Sequence, residues 1–224
     1  MTAQLPAVLD AAPHYSSPAE RFADRWVHIG GVSAGGVGGV ILLGLVLVLG
    51  HPGQAAAIAV YAGCLIAMLL ASAVYNLASP RRRPFLRRLD HAAIFLMIAG
   101  SYTPFTTQRL TGAWAVGMTT AVWGLALAGA AGKLFLPGIG KGFWVVLYLA
   151  LSWVVLAAIR PLLADVPLAA IILLAAGGLI YSAGVIVYLR QSLPYRRAIW
   201  HGFVATAAAT HYAAVVTGVV LPAA

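Results

Sequence analysis

Seven long apolar segments constrain this chain more strongly than any other feature of its sequence. Crossing about 30 Å of hydrocarbon takes roughly 20 apolar residues in a helix, because each residue advances 1.5 Å. Runs of about this length occupy residues 27–50, 53–76, 90–109, 112–132, 142–159, 166–189 and 198–220. Only 8% of the 224 residues are charged, whereas soluble domains carry about 25%. The sequence therefore predicts an all-α, polytopic membrane protein built as a seven-transmembrane-helix bundle.

The distribution of Lys and Arg predicts the orientation of this bundle, because basic residues near span ends stay in the cytoplasm. The N-terminal segment and the second, fourth and sixth loops hold twelve of the fourteen basic residues. The loops on the other side hold only Arg109 and Arg160. We therefore expect a multi-pass protein of the plasma (inner) membrane, with its N-terminus cytoplasmic and its C-terminus outside.

The polar segment before the first span is predicted to be a separate region. We divide the chain into a polar cytoplasmic N-terminal arm, 1–26, and a seven-helix transmembrane domain, 27–220. The basic residues are scattered between spans rather than gathered on one face, so no nucleic-acid binding is expected. Five arginines of the second loop are instead expected to contact anionic lipid headgroups; they are Arg81, Arg82, Arg83, Arg87 and Arg88.

Glycines spaced four residues apart mark one face of the first span. Gly31, Gly35 and Gly39 follow this spacing. Small residues at this interval allow close approach of another helix in a membrane. The pattern therefore predicts a helix-packing face rather than a phosphate-binding loop.

Polar side chains at the cytoplasmic ends of three spans indicate a site. An ionisable group in hydrocarbon costs at least about 2.5–3.5 kcal/mol, so it needs a partner or a function. Asp90 is interpreted as the only acidic residue at a span, and it begins the third. Ser72 and Asn76 end the second, while Arg197 and His201 begin the seventh, each pair sharing one helix face. The predicted topology brings all these residues to the same depth.

Each of these residues also has a purely structural explanation. Asp90 would interact well with the N-terminal amides of its helix, and Ser72 would bond to its own helix. Asn76 can act as a helix cap, and His91 as an interfacial hydrogen-bond donor. The remaining histidines are interpreted as boundary residues or, for the last, as a buried neutral side chain; they are His14, His28, His51 and His211.

Several segments resemble the hemolysin III family, the bacterial branch of the progestin and adipoQ receptor superfamily. The resemblance is carried by LDHAAIFLMIAGSYTPF at 89–105, GGLIYSAGVIVY at 177–188 and AIWHGFVATAAATHY at 198–212. The VHIGG segment of the first span and Ser72 add to it. The family's architecture of seven helices with a cytoplasmic N-terminus agrees with the topology predicted from charge.

The resemblance implies a zinc site near the cytoplasmic face, at which this chain matches the family only in part. Ser72, Asp90 and His201 occupy the family's positions, but Asn76 and Arg197 replace two ligand histidines. An amide oxygen is a poor zinc ligand, and a guanidinium offers no lone pair. We therefore expect no cofactor, with zinc possible only through the resemblance and His201 as the sole matching ligand. We hypothesise that Arg197 instead pairs with Asp90.

Three functions follow, in this order. The first is a role in membrane lipid or fluidity homeostasis, with a degenerate family metal site. The second is a zinc-dependent lipid amide hydrolase, similar to a ceramidase, in which Asp90 is the candidate catalytic residue. The third is a pore-forming cytolysin, which would need a polar stripe through the bundle. The expected binding cluster is the same for the first two; it contains Ser72, Asn76, Asp90, His91, Arg197 and His201.

Overall fold

The computed structural model describes residues 14–49, 52–136 and 138–221, and this part of the chain is helical without any strand. The helices are α1 (Pro18–Val48), α2 (Pro52–Leu77), α3 (Arg83–Gln108), α4 (Gly112–Phe135), α5 (Lys141–Trp153), α6 (Ile159–Asp165), α7 (Leu168–Leu189) and α8 (Arg196–Val215). A 3₁₀ segment, Val154–Ala158, joins α5 to α6, and a π-helical turn, Val216–Val220, extends α8.

Six of the helical segments are long and apolar enough to cross a membrane. They are α1, α2, α4, the combined α5–α6 segment, α7, and α8 with its π-helical turn. These helices make the protein a polytopic membrane protein, as the sequence predicts. The remaining long helix, α3, is more polar, and it packs between α2 and α4. Eleven of its residues are buried, which is more than in any other helix of the described chain. Its polar residues Asp90, Thr103 and Thr106 are among those buried, so these side chains face the interior of the bundle rather than lipid.

Helix α1 begins well before the predicted span. The Ser17 hydroxyl accepts a hydrogen bond from the Glu20 amide at 3.2 Å, and Pro18 occupies the first turn. A hydroxyl cap, an N-terminal proline and an acid three residues after the cap form a strong helix start. The predicted arm, 1–26, therefore overlaps α1 from Pro18 onward, while residues 1–13 lie outside the described chain. The division into an arm and a transmembrane domain stays a prediction.

Close packing holds α1 against α2, as the glycine pattern predicts. A Cβ on Gly35 would lie 2.5 Å from Cδ1 of Leu69, and one on Gly39 would lie 3.4 Å from Cδ1 of Ile66. Real Cβ atoms do not approach another side chain as closely as 2.5 Å, so Gly35 permits this contact, whereas the distance at Gly39 is an ordinary van der Waals contact. This contact aligns the start of α1 with the end of α2, where the polar residues lie.

The fifth predicted span ends too early, because the helical segment continues through a break to Asp165. The break is stabilised by Tyr102 of α3. Its hydroxyl lies 3.1 Å from the carbonyl oxygen of Leu151 and 2.8 Å from that of Ser152, and it accepts from the Val155 amide at 2.8 Å. A side chain that bonds to backbone groups allows a helix to change its hydrogen-bonding pattern inside a membrane. Helix α5 is thereby tied to the central helix.

Candidate functional site

A buried carboxylate, Asp24 of α1, lies at the centre of a polar cluster. It is fully buried, and its Oδ1 accepts a hydrogen bond from Nδ1 of His201 at 2.6 Å. His28 lies one turn further along α1, with its Nε2 3.5 Å from Oδ2 of Asp24. The rings of His28 and His201 have centroids 4.3 Å apart. The first and last transmembrane helices therefore meet through one carboxylate and two imidazoles.

The second nitrogen of His201 faces α2. A carboxylate only accepts hydrogen bonds, so Nδ1 of His201 carries the proton and Nε2 is the acceptor. The Ser72 hydroxyl and the Asn76 side-chain amide both lie 3.4 Å from this Nε2. Asn76 also donates to the carbonyl oxygen of Ser72 at 3.0 Å. His201 thus connects the carboxylate of α1 to the polar end of α2.

Residues 14–17, here called the N-terminal strap, lie over this cluster. The Tyr15 hydroxyl donates to Oδ2 of Asp24 at 2.5 Å, and Nε2 of His14 donates to Oδ1 of Asn76 at 3.1 Å. Nε of Arg197 donates to the carbonyl oxygen of His14 at 2.8 Å. The strap is therefore bonded to α1, α2 and α8 at one end of the bundle.

The position of the strap changes the acidity of its side chains. Burial, with the positive charges of Arg197 and Arg83, lowers the pKa of His14 to about 4. Burial and the hydrogen bond to Asp24 raise the pKa of the Tyr15 hydroxyl well above its usual range. At neutral pH His14 is therefore uncharged, and Tyr15 remains a hydrogen-bond donor to Asp24.

Asp24, His28 and His201 together form a possible metal-binding group. Each offers one ligand atom, and these atoms all lie within 4.8 Å of one another. Two histidines and one carboxylate form a donor set found in catalytic zinc sites, which keep a fourth position open. Among the described residues, the buried Nε2 of His28 has no hydrogen-bond partner, although Oδ2 of Asp24 lies 3.5 Å away. A buried nitrogen without a partner is costly unless something binds it, so these residues fit a zinc ion.

The structure brings together most of the residues predicted from the sequence. Ser72, Asn76 and His201 lie within hydrogen-bonding distance of one another. Asp90 is buried, and it lines the same cavity as Ser72 and His201. His91 also lines this cavity, with its Nε2 3.9 Å from Oδ2 of Asp90. Whether these residues act in binding or catalysis stays a prediction.

The predicted pairing of Arg197 with Asp90 is wrong. Among the described residues, every ion pair within 4.0 Å joins a histidine to Asp24 or Asp90. The guanidinium carbon of Arg197 lies 5.8 Å from the centroid of the Tyr15 ring, and its Nε is bonded to the strap. Arg197 therefore holds the strap rather than neutralising Asp90.

Sequence reasoning missed Asp24 and misjudged two histidines. Asp90 is not the only acidic residue at a span, because Asp24 lies within α1. His28 and His14 were interpreted as boundary residues, yet His28 belongs to the possible metal-binding group and His14 bonds to Asn76. The spacing of four between Asp24 and His28, after the Ser17 cap, is the sequence signal that indicates both residues on one helix face. His51 lies outside the described residues.

A large cavity extends from this cluster through the bundle. Its volume is about 1020 Å³, and the side chains at its polar end include His28, Ser72, Asp90 and His201. Helix α3 lines it from Arg83 to Thr106, a length of about 35 Å at 1.5 Å per residue. Most of the remaining lining is apolar; it includes Ile94, Met97, Phe105, Leu149, Leu174 and Val185. The cavity is therefore long and mainly apolar, and the charged residues that line it lie at one end.

These features define a class: a helical, multi-pass membrane protein with a buried histidine–carboxylate site at one end of a lipid-sized cavity. Residues 19–212 match the family model described as Haemolysin-III related. The match covers most of the chain, and the protein belongs to this family.

Individual relatives agree with this assignment. The chain is 35% identical to the hemolysin-3 homolog of Bacillus subtilis (strain 168) over 143 residues, or 62% of this chain and 66% of that protein. It is 35% identical to hemolysin-3 of Bacillus cereus over 136 residues, or 61% of this chain and 62% of that protein. The human monocyte to macrophage differentiation factor is 30% identical over 164 residues, or 70% of this chain and 67% of that protein. The matched region thus spans slightly less than two thirds of each Bacillus protein.

Proposed function

We propose that this protein hydrolyses an acyl lipid within the membrane, at a zinc ion held by Asp24, His28 and His201. The observation that supports the proposal is the buried Nε2 of His28, which has no hydrogen-bond partner in the described part of the chain and lies beside a carboxylate and a second imidazole. This donor set replaces the one that the family resemblance implies, in which Asn76 and Arg197 stand where ligand histidines are expected. His201 is common to both sets.

The proposal includes seven membrane spans with the N-terminus in the cytoplasm. Six helices are apolar enough to cross a membrane, and α3 would be the seventh. Its 26 residues are long enough to cross the hydrocarbon, and its polar residues Asp90, Thr103 and Thr106 are buried in the bundle. With seven spans, the bias of Lys and Arg toward the cytoplasm would put the arginine-rich second loop, the strap and the site on the cytoplasmic side.

The side chains around the site divide the chemistry between them. When bound, zinc supplies Lewis-acid activation of water and of a carbonyl group. Ser72 and Asn76 line the polar end of the cavity and would donate hydrogen bonds to the substrate carbonyl oxygen. Asp90 lines the same end, and its carboxylate would take the proton released by the attacking water and deliver it to the leaving amide nitrogen. Tyr15 positions Asp24 through its hydrogen bond to Oδ2.

The shape of the cavity indicates the class of substrate. Pockets that bury a small molecule usually measure about 300–1,000 Å³, and this one is about 1020 Å³ with a mainly apolar wall. An amphiphile with one long acyl chain and an amide near its polar end fits this cavity, with the chain against the apolar wall and the amide at the polar end. Hydrolysis of such a lipid would alter membrane composition, which links the site to the predicted role in lipid or fluidity homeostasis. Pore formation is less well supported, because Met97, Phe105 and Leu174 give the cavity wall an apolar middle.

One observation favours a second candidate, a membrane regulator that acts without a metal. Both oxygens of Asp24 and both ring nitrogens of His201 have hydrogen-bond partners in the structure. Such a network can hold α1, α2 and α8 together by itself. Under this alternative the cavity binds a lipid without cleaving it.

A zinc and activity measurement on purified full-length protein separates the two candidates. Wild-type protein in nanodiscs is expected to contain one zinc per chain and to cleave a fluorescent N-acyl sphingosine. Asp24→Asn and His28→Ala should each reduce both zinc content and cleavage. The matched control is Asp165→Asn, which removes an exposed acid from α6 and should change neither. Zinc-free wild-type protein that fails to gain zinc on titration would contradict the proposal, as would cleavage that persists after chelation.

A further inference from the structure

We propose that a second cavity, here called the side chamber, binds a phosphate group. Its volume is about 230 Å³, and it lies beside the main cavity, with which it shares Arg87 and Lys141. Four basic residues from three helical regions line it, namely Arg87, Arg88, Lys133 and Lys141. No acidic residue lines it among the described residues. The proposal goes beyond hydrolysis, because it concerns different side chains and a different ligand.

Three of these basic residues make direct contacts with neutral groups. Nζ of Lys133 lies 4.8 Å from the centroid of the Trp144 ring, and Nζ of Lys141 lies 3.9 Å from that of Tyr188. Arg88 donates to the carbonyl oxygen of Leu134 at 3.4 Å. Aromatic rings and carbonyls orient a cation without neutralising it. In the part of the chain that the structure describes, none of the four lies within 4.0 Å of a carboxylate oxygen.

Like charges that converge on one cavity repel each other unless an anion lies between them. Lys133 and Lys141 are also half-buried, so water screens them less than it screens surface residues. Helix α5 begins at Lys141, and no side chain of the described residues caps its first amides. The N-terminal end of a helix favours anions as well. Side-chain charge and helix direction therefore both favour a negative ligand at this position.

The chemistry of the lining favours phosphate among possible anions. Phosphate offers several acceptor oxygens and more than one negative charge, which suit a set of separate Lys and Arg donors. Trp144, Tyr148 and Tyr188 line the same chamber, and Trp and Tyr are enriched where membrane meets water. Phospholipid headgroups carry their phosphates at this level. The same chemistry would accept a soluble phosphate, so the experiment must separate the two sources.

Binding to purified full-length protein in a neutral detergent tests the proposal. Native mass spectrometry would compare phosphatidylglycerol with a neutral diacylglycerol, with and without millimolar inorganic phosphate. Lys133→Gln with Lys141→Gln should weaken phosphatidylglycerol binding about 25-fold, since each basic residue contributes about fivefold. Arg81→Gln with Arg82→Gln is the matched control, because it removes two exposed charges from the connection between α2 and α3 without touching the side chamber, and it should weaken binding less.

The outcomes are distinct. Binding of the phospholipid that survives inorganic phosphate supports a lipid headgroup as the ligand, while its displacement supports a soluble phosphate. Equal losses of binding in the lysine and arginine variants would overturn the proposal, because net charge alone would then explain binding. Equal binding of phosphatidylglycerol and diacylglycerol would also overturn it. Should the lysine variant fail to fold, Arg87→Gln at an exposed position gives the same test. Zinc content and lipid cleavage do not enter these measurements, so failure here leaves the proposed hydrolysis untouched.

Discussion

Nδ1 of His201 donates a hydrogen bond to Oδ1 of Asp24 across 2.6 Å, and the two residues stand 177 positions apart in the chain. This bond joins the first transmembrane helix to the last, and the carboxylate is fully buried. A hydrogen bond to a charged group contributes about 1.5–3 kcal/mol to stability, and loss of one partner leaves the other unsatisfied. The pair therefore closes the bundle at the site.

A double-mutant cycle measures the interaction free energy between Asp24 and His201. Asp24→Asn and His201→Gln should each lower the free energy of unfolding by about 1–3 kcal/mol, because each leaves a buried polar partner poorly paired. The double variant should lose less than the sum of the two, since the residues are in direct contact. Denaturant unfolding in mixed micelles gives the three values. Additive losses would contradict a direct bond between these side chains.

The strap should dissociate from the site in acid. Docked His14 has a pKa lowered to about 4, whereas free histidine titrates near 6.5. Because the docked form binds the proton more weakly, docking is complete above about pH 6.5 and weakens as the pH falls towards 4. Asn76, Asp24, Arg83 and Arg197 are the groups that act on His14. Hydrogen exchange of residues 14–17, corrected for intrinsic rates, should therefore rise between pH 7 and pH 5.

The control for this pH effect is His14→Phe, which cannot gain a proton. Its strap should exchange at rates that do not change with pH after the same correction. Equal protection of the wild-type strap at pH 7 and pH 5 would contradict the prediction that protonation of His14 releases the strap.

Substitution of Gly129 should disturb the contact between α4 and the central helix. A Cβ at this position would lie 2.5 Å from Cε1 of Phe95, which is itself fully buried. Gly129→Ala should therefore lower stability by about 1–3 kcal/mol, as overpacking usually does. Gly124→Ala lies in the same helix with nothing within 4 Å of its Cβ, and it should be neutral or slightly stabilising. Thermal unfolding of both variants checks the difference, and equal midpoints would contradict the packing.

Loss of the Tyr102 hydroxyl should loosen the break between α5 and α6. Tyr102→Phe keeps the ring but removes the contacts with Leu151, Ser152 and Val155. We expect a loss of about 1–3 kcal/mol, because buried backbone groups lose a partner. Faster hydrogen exchange at residues 151–158 is the measurement. Tyr212→Phe, which loses one bond to Gly38, is the control and should leave this segment unchanged.

The helices could be predicted because a membrane leaves the chain few alternatives. Backbone groups in hydrocarbon must be paired within the chain, so an apolar run of about 20 residues becomes a helix. The polar ends of α2, α3 and α8 followed from the same topology, and Ser72, Asn76 and His201 do meet. The predicted start of the first span was late because composition alone does not report the cap formed by Ser17 and Glu20.

The rest of the site depends on contacts between distant segments. Asp24 is a site residue because α1 begins at Pro18 and packs beside α8, and neither feature follows from the apolar pattern of the sequence. The partner of Arg197 could not be chosen from sequence, because a long side chain reaches either a carboxylate or a carbonyl at similar depth. In the structure Arg197 bonds to the strap, because its Nε lies 2.8 Å from the carbonyl oxygen of His14.

X-ray absorption at the zinc edge, on purified protein loaded with one equivalent of zinc, tests the central claim most directly. The account predicts a first shell with two imidazoles and one carboxylate, and loss of one imidazole in His28→Ala. A shell with a single imidazole in wild-type protein, or a spectrum unchanged by His28→Ala, would contradict it.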